Sequence, residues 1–289
     1  YFLHHVPNSI QINHVVADIG RSAIEAIKER YPDEFEGENS LGHVIRVGEP
    51  VRSHRTGYIE VIDYETLGRT AEGQGATIRL AVRAGDFVHP GIELLWVEGT
   101  IGEDTPGLLR NAFAVGISRT QSQDIEFAID ELVEIAARAL SPGVNDPFTA
   151  LTCLDWLSAG LSDLAGRDLP SHLRVDDEGA LRVIAHPFSF DLLMDRSFGA
   201  LAQYCAADMV AALRFVRSLG EVALECDDAD RLATIGTYAN RFDRLTETAL
   251  GGFNRTRVRD RVGELQRALA EPDYKRHLRD STAWLGGSA

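Results

Sequence analysis

The sequence predicts an α+β fold: an N-terminal helix, a small β-barrel module, then a mainly helical domain with one β-hairpin. Three observations predict it. Apolar residues recur at three- and four-residue intervals from Ile12 to Ile27. Between residues 43 and 99 the period falls to two, with Gly and Pro between the runs. Beyond residue 108 the helical period returns, broken by one polar hairpin. The corresponding domains are residues 1–32, 43–99 and 108–289.

The first helix is expected from about Ser9 to Arg30, ended by Tyr31-Pro32. An acidic loop covers 33–42. Short strands are expected at His43–Val47, Tyr58–Ile62, Thr77–Val82, Phe87–Val88 and Leu94–Val97. Asp63 heads a short helical excursion to Gly73. Leu108–Ser118 reads as helix, as does Asp124–Leu140, which Ser141-Pro142-Gly143 breaks. Asp146-Pro147 opens the next helix, an acid cap followed by proline at the first helical position. The hairpin pairs Leu173–Val175 with Leu181–Ala185. Helices near 190–219, 228–249 and 257–270 complete the chain.

The chain has 289 residues, 44% hydrophobic and 25% charged, so it can bury a sizeable core. A net charge of −15 argues against non-specific binding to nucleic acid or to anionic lipid, because both need local positive potential. The segment from Gly251 departs from this balance, with eight Lys/Arg against five Asp/Glu. Arg255, Arg257, Arg259 and Arg261 alternate there. Residues two apart on a helix diverge, so they make no one-faced stripe. They read either as a solvated helix end or as a contact with lipid headgroups or an acidic subunit. Cys153, Cys205 and Cys226 lack metal-ligand spacing and read as buried free thiols.

No segment reaches the roughly 20 apolar residues of a membrane span. The start, Tyr1-Phe2-Leu3-His4-His5-Val6, carries no initiator Met or signal peptide and reads as that of a fragment or processed product. Its aromatic-apolar character resembles the last turn of a helix leaving a bilayer, with Tyr1, His4 and His5 membrane-proximal.

Val82-Arg83-Ala84-Gly85-Asp86-Phe87-Val88, continued to Glu98, resembles the run found in biotinyl- and lipoyl-type hammerhead barrels. Gly85 and Gly91 permit the tight turns. A carrier of that type needs a lysine on a hairpin tip, and residues 33–99 contain none. The module therefore reads as structural, and no cofactor is named.

The densest polar runs are Ser118–Asp124 and Ser141–Ala150. Arg119, Thr120, Gln123, Asp124, Asn145 and Asp146 are the candidate ligand or interface residues. Arg119 suits an anionic group held bidentately, and Asp146 suits a base or metal ligand. The structural reading stands beside this one: Asp124 and Asp146 as helix caps, Asn145 as a turn residue and Arg119 as the partner of Asp124. Antiparallel packing of the two flanking helices would hold the two runs at opposite ends. The scattered histidines give no metal spacing. No nucleophile elbow, Walker motif or dinucleotide fingerprint is present, so no catalytic residue is assigned.

Phe2-Leu3-His4-His5-Val6, Arg83–Val88, Arg119-Thr120 with Gln123-Asp124, and Arg138–Pro147 with Thr149-Ala150 together resemble a bacterial membrane-protein family, domain of unknown function 2254. The resemblance covers nearly the whole chain. It implies transmembrane helices N-terminal to this part, a bacterial inner-membrane location and a cytoplasmic face for residues 1–289. It implies no reaction. Two readings follow. One is an assembly or regulatory domain of an oligomeric membrane protein, channel-like or transport-related. The other is a membrane-anchored enzyme or small-ligand sensor around Arg119/Asp124 and Asn145/Asp146.

Overall fold

The computed structural model describes residues 2–31, 47–169, 171–186, 189–280 and 284, with backbone alone at 2–11 and 30. Tyr1 and most of the expected strand His43–Val47 lie outside the described residues, as do the side chains of His4 and His5. The fold is α+β with a helical majority. The chain divides into two compact units. One comprises Tyr1–Asp33, Ala128–Asp168 and Ser189–Ala289; the other comprises Glu34–Phe127 and Leu169–Phe188.

The second unit holds the strands. A five-stranded sheet runs β1-β5-β3-β8-β7, from Glu49–Arg52, Glu93–Glu98, Thr77–Leu80, Leu181–Ile184 and Leu173–Val175. A three-stranded sheet runs β4-β2-β6, from Phe87–Val88, Gly57–Ile62 and Phe113–Gly116. Ile59, Leu67, Ile78, Leu80, Leu95 and Val183 are buried between these elements. Asp63 starts α2, Tyr64–Gln74, by accepting from the Thr66 N–H at 2.9 Å. Gly75 ends it at φ 60°, the left-handed conformation a side chain resists.

Two expectations are corrected here. The sheets do not close into a barrel. A hammerhead-like module would pair its strands only among themselves. Instead β3 takes β8 in parallel, Ile78 opposite Val183, and β2 takes β6, Ile62 opposite Phe113. These outside partners draw the strands into two open sheets. The expected helix Leu108–Ser118 is also shorter and earlier. The helix α3 spans Thr105–Asn111, with Pro106 in its first turn, and the next residues form β6. Pairing with β2 satisfies the backbone of 113–116, which outweighs local helical preference.

The hairpin β7–β8 turns on Asp176. Its carboxylate accepts from the N–H groups of Ala180 at 2.8 Å and Glu178 at 3.1 Å, and from Arg182 Nε at 2.6 Å. The Ala180 bond first, and then Arg182, hold this carboxyl below its ordinary 3.8. A depressed folded pKa contributes stability above the ordinary value and loses it as pH falls through the folded one.

The first unit is helical. The long α1, Phe2–Arg30, packs along α5, Pro147–Ala165, and buries Val16, Ala23 and Ile27. Gly20 makes that approach feasible, since a Cβ there would stand 2.4 Å from the Trp156 ring. The central α8, Met209–Leu224, packs on α5 and on α9, Ala229–Ala249. Phe215 stacks on Phe242 at 4.0 Å between centroids and meets Phe198 edge-on at 5.2 Å. Three C-terminal carbonyls, those of Leu164, Ala165 and Arg167, accept from Arg231 Nη1. α10, Gly252–Ala270, and α11, Pro272–Asp280, follow, and Trp284 packs so closely on Gly220 that a Cβ would meet its ring at 2.0 Å.

The helical stretch expected near 190–219 is interrupted. α6, Phe190–Met194, passes through a π turn at Asp195–Gly199 into α7, Ala200–Cys205. Asp208 then caps α8 by accepting from Ala211 N–H at 2.9 Å. All three cysteines are buried free thiols. Burial, and then the Asp155 carboxylate, push the Cys153 thiol up to about 12.

Two outcomes are expected. Gly20→Ala, a change worth about 1 kcal/mol of stabilisation in an open helix, should instead destabilise the chain through the Trp156 contact, read as a lower urea midpoint. Asp176→Asn should lower stability at neutral pH and flatten its decline below the ordinary carboxylate pKa, read from melting temperature against pH.

Candidate functional site

The polar residues singled out from the sequence form two groups. In the strand-bearing unit, Asp124 has 3% of its side chain exposed, a burial tolerated only with donors around the charge. Arg119 Nε donates to its Oδ2 at 2.7 Å, and the Phe127 N–H donates to Oδ1 at 3.0 Å. The carboxylate thereby caps α4, Ile125–Ala139. The Arg119 guanidinium also lies 5.1 Å from the Phe127 ring centroid. Gln123 turns toward β2: its Oε1 accepts from the Ile62 N–H at 2.9 Å and its Nε2 donates to the Ile62 carbonyl at 3.1 Å. A side-chain amide thus supplies the pairing of a neighbouring strand. Thr120 places its hydroxyl oxygen in the interior with no hydrogen-bond partner.

The turn of the hammerhead-like run meets this group. Gly85 adopts φ +92°, and a Cβ there would stand 2.1 Å from Asp124 Oδ2. Arg83 Nη1 pairs with Glu126 at 2.9 Å, and Glu126 is 4% exposed. Asp86 accepts from the Arg83 N–H at 2.9 Å and holds the turn. Arg83, Gly85 and Glu126 were not among the site residues read from the sequence. Glu126 lies two positions from Asp124, but nothing local marks Arg83, 43 residues away, as its partner.

Asn145 and Asp146 belong to the helical unit. The Ser141–Asp146 turn follows α4. Asn145 takes φ 51°, the one positive value outside glycine among the described residues. Its N–H donates to the Ser141 carbonyl at 2.9 Å, and the Asp146 N–H donates to Ala139 at 2.8 Å. Asp146 accepts from the Thr149 N–H at 3.2 Å and hydroxyl at 2.7 Å, which starts α5. Arg119 and Asp124 thus belong to the strand-bearing unit, and Asn145 and Asp146 to the helical one. Asp146 also lines a groove of about 280 Å³ with Ile12, Val15, Ile19, Ile135 and Val144. Val15 and Val144 are half exposed, at 50% and 54%.

No group of three or more metal-ligating side chains occurs among the described residues. Among them, too, no helix is long and apolar enough to cross a membrane.

The fold and the two polar groups define an α+β protein whose marker residues act as caps, turn formers and buried ion pairs. The chain belongs to the DUF2254 family, described as predicted membrane protein, whose sequence profile matches residues 1–221. It is 29% identical over 246 residues to uncharacterised proteins of Mycobacterium bovis and Mycobacterium tuberculosis. The match covers 82% of this chain and 47% of each relative, so the chain spans about half the length of these relatives. No solved structure matches.

Asp124→Ala should destabilise the fold by about 3 kcal/mol, because it leaves Arg119 facing a cavity and uncaps α4. Replacing the pair together, Arg119→Met with Asp124→Leu, should cost less than the two single changes summed. A denaturant double-mutant cycle measures that coupling.

Proposed function

We propose that this chain is the assembly or regulatory domain, facing the cytoplasm, of an oligomeric bacterial inner-membrane protein that is channel-like or transport-related. The family description and the greater length of the relatives support membrane attachment outside this chain. The observation that carries the assembly reading is the open apolar groove at Val15 and Val144. Phe148, 74% exposed, adds to the exposed apolar side chains near the same turn. Apolar side chains left bare beside a polar turn are suited to covering by a second copy. A net charge of −15 would favour cations over anions near a pore.

A second reading, a membrane-anchored enzyme or ligand sensor around Arg119/Asp124 and Asn145/Asp146, is favoured by the buried unpartnered hydroxyl of Thr120. It has less support, because the four named residues already have structural partners.

The test is native mass spectrometry of the full-length protein in lipid nanodiscs, with ion flux in proteoliposomes. A closed ring with flux is the expected result, and the double change Val15→Glu, Val144→Glu should lower the subunit number while circular dichroism stays unchanged. A wild-type monomer without flux would remove the assembly reading. A stoichiometric small molecule retained by that monomer would select the sensor.

A further inference from the structure

A cleft of about 560 Å³ opens in the helical unit between α8 and α10, with Leu151 of α5 and Trp284 at its walls. We propose that it binds an anionic amphiphile: a phosphate or carboxylate head on an apolar tail. The proposal does not rest on the assembly reading above.

Charge supplies the first argument. The chain is strongly acidic, yet Arg214, Arg217, Arg257 and Arg261 line this cleft against two carboxylates, Asp260 and Glu264. Helical spacing explains the convergence. Arg214 and Arg217 are three apart on α8, and Arg257 and Arg261 are four apart on α10, so each pair shares a face. The alternating arginines of the C-terminal segment are thereby sorted. Arg255 is drawn to Asp243 at 2.8 Å, Arg259 lies 3.9 Å from Asp260, and the other two enter the cleft.

The pairing state supplies the second argument. Arg214 is paired with Asp155, Arg217 with Glu221 at 2.8 Å, and Arg261 with Glu264 at 2.9 Å. Each guanidinium carries five N–H donors. The bonds named engage Nη1 of Arg214, Nε of Arg217 and Nη1 of Arg261, so other donors remain for a ligand. Arg257 has no carboxylate partner among the described residues. Its Nη1 lies 4.0 Å from the weakly accepting Met209 sulfur, and its guanidinium lies 5.8 Å from the Phe253 ring. Arg214, Arg217 and Arg261 are 25%, 27% and 33% exposed, so their charges sit partly withdrawn from water, where an anion is held more strongly.

The walls supply the third. Leu151, Val210, Leu213 and Trp284 give the cleft an apolar side beside its arginines. Arg261 lies over the Trp284 ring at 4.8 Å, which fixes one guanidinium where the two surfaces meet. The volume suits a small ligand rather than a macromolecular surface. Phosphate alone would leave the apolar wall wet, and a neutral amphiphile would leave Arg257 unpaired.

The source of such a ligand is either a membrane lipid or a free metabolite, and the experiment separates the two. Calorimetric titration of the full chain with dodecyl phosphate below its micellar concentration should show one saturable site. Arg257→Gln should weaken it about tenfold, and Arg257→Lys less. Arg257 is itself exposed, so the fold should survive, with thermal melting as the check. Sedimentation with vesicles is the second arm. Binding to phosphatidylglycerol but not phosphatidylcholine vesicles, lost in Arg257→Gln, assigns the lipid source. Binding of dodecyl phosphate without vesicle binding assigns a free ligand. The proposal is overturned if neither probe binds, or if Arg257→Gln leaves binding unchanged. Equal affinity for dodecyl maltoside or inorganic phosphate, or preference for a polyglutamate peptide, would overturn it as well.

Discussion

A carboxylate buried to the depth of Asp124 costs several kcal/mol unless donors replace its lost water. Its neighbours are arranged around that requirement. Arg119 supplies charge, and the Phe127 N–H supplies the bond that starts α4. Gly85 clears the space, since any side chain there would occupy the position of Oδ2. One charge thus ties a turn of the strand region, the loop after β6 and the beginning of a helix that continues into the helical unit. Arg83 and Glu126 repeat the device two residues along. Through these contacts two polar runs far apart in sequence meet within one unit.

The helical unit is held by a different means. Its closest approaches pair a glycine with an indole ring: Gly20 with Trp156, and Gly220 with Trp284. Such contacts bring large rings against bare backbone and exclude voids. The stacked Phe215 and Phe242 fill the space between α8 and α9. Arg231, bonded to three carbonyls at the end of α5, satisfies acceptors that a helix terminus otherwise exposes.

Satisfied polar groups bear on function. A reacting or ligand-binding group is most effective when part of its bonding capacity is held in reserve. Asp124, Asp146 and Asn145 spend theirs on caps and turns. The arginines between α8 and α10 spend only part of theirs, and that cleft joins the remaining donors to an apolar wall. Family membership places the chain among predicted membrane proteins, which makes an amphiphile a chemically reasonable neighbour.

Local pattern was enough for much of the fold. Period-four apolar residues marked α1, α4 and α5, and the short apolar runs marked β2, β3 and β5. Asp63 and Asp146 were recognisable as caps because a capping bond spans only three residues. The mixed α+β class and the family were legible for the same reason, being carried by strings of adjacent residues. Phe113–Gly116 was misread because its state depends on pairing with Gly57–Ile62, some 50 residues away. Barrel closure was misread because the parallel partner of β3 lies beyond residue 180. The meeting of Arg83 with Glu126, and of arginines from two helices in one cleft, depends on packing between distant segments. Sequence by itself determined most helices and the alternating strands, whose periodicities are local. Tertiary structure alone decided which edges pair and which charges meet, because those energies depend on distances that no short stretch of chain encodes.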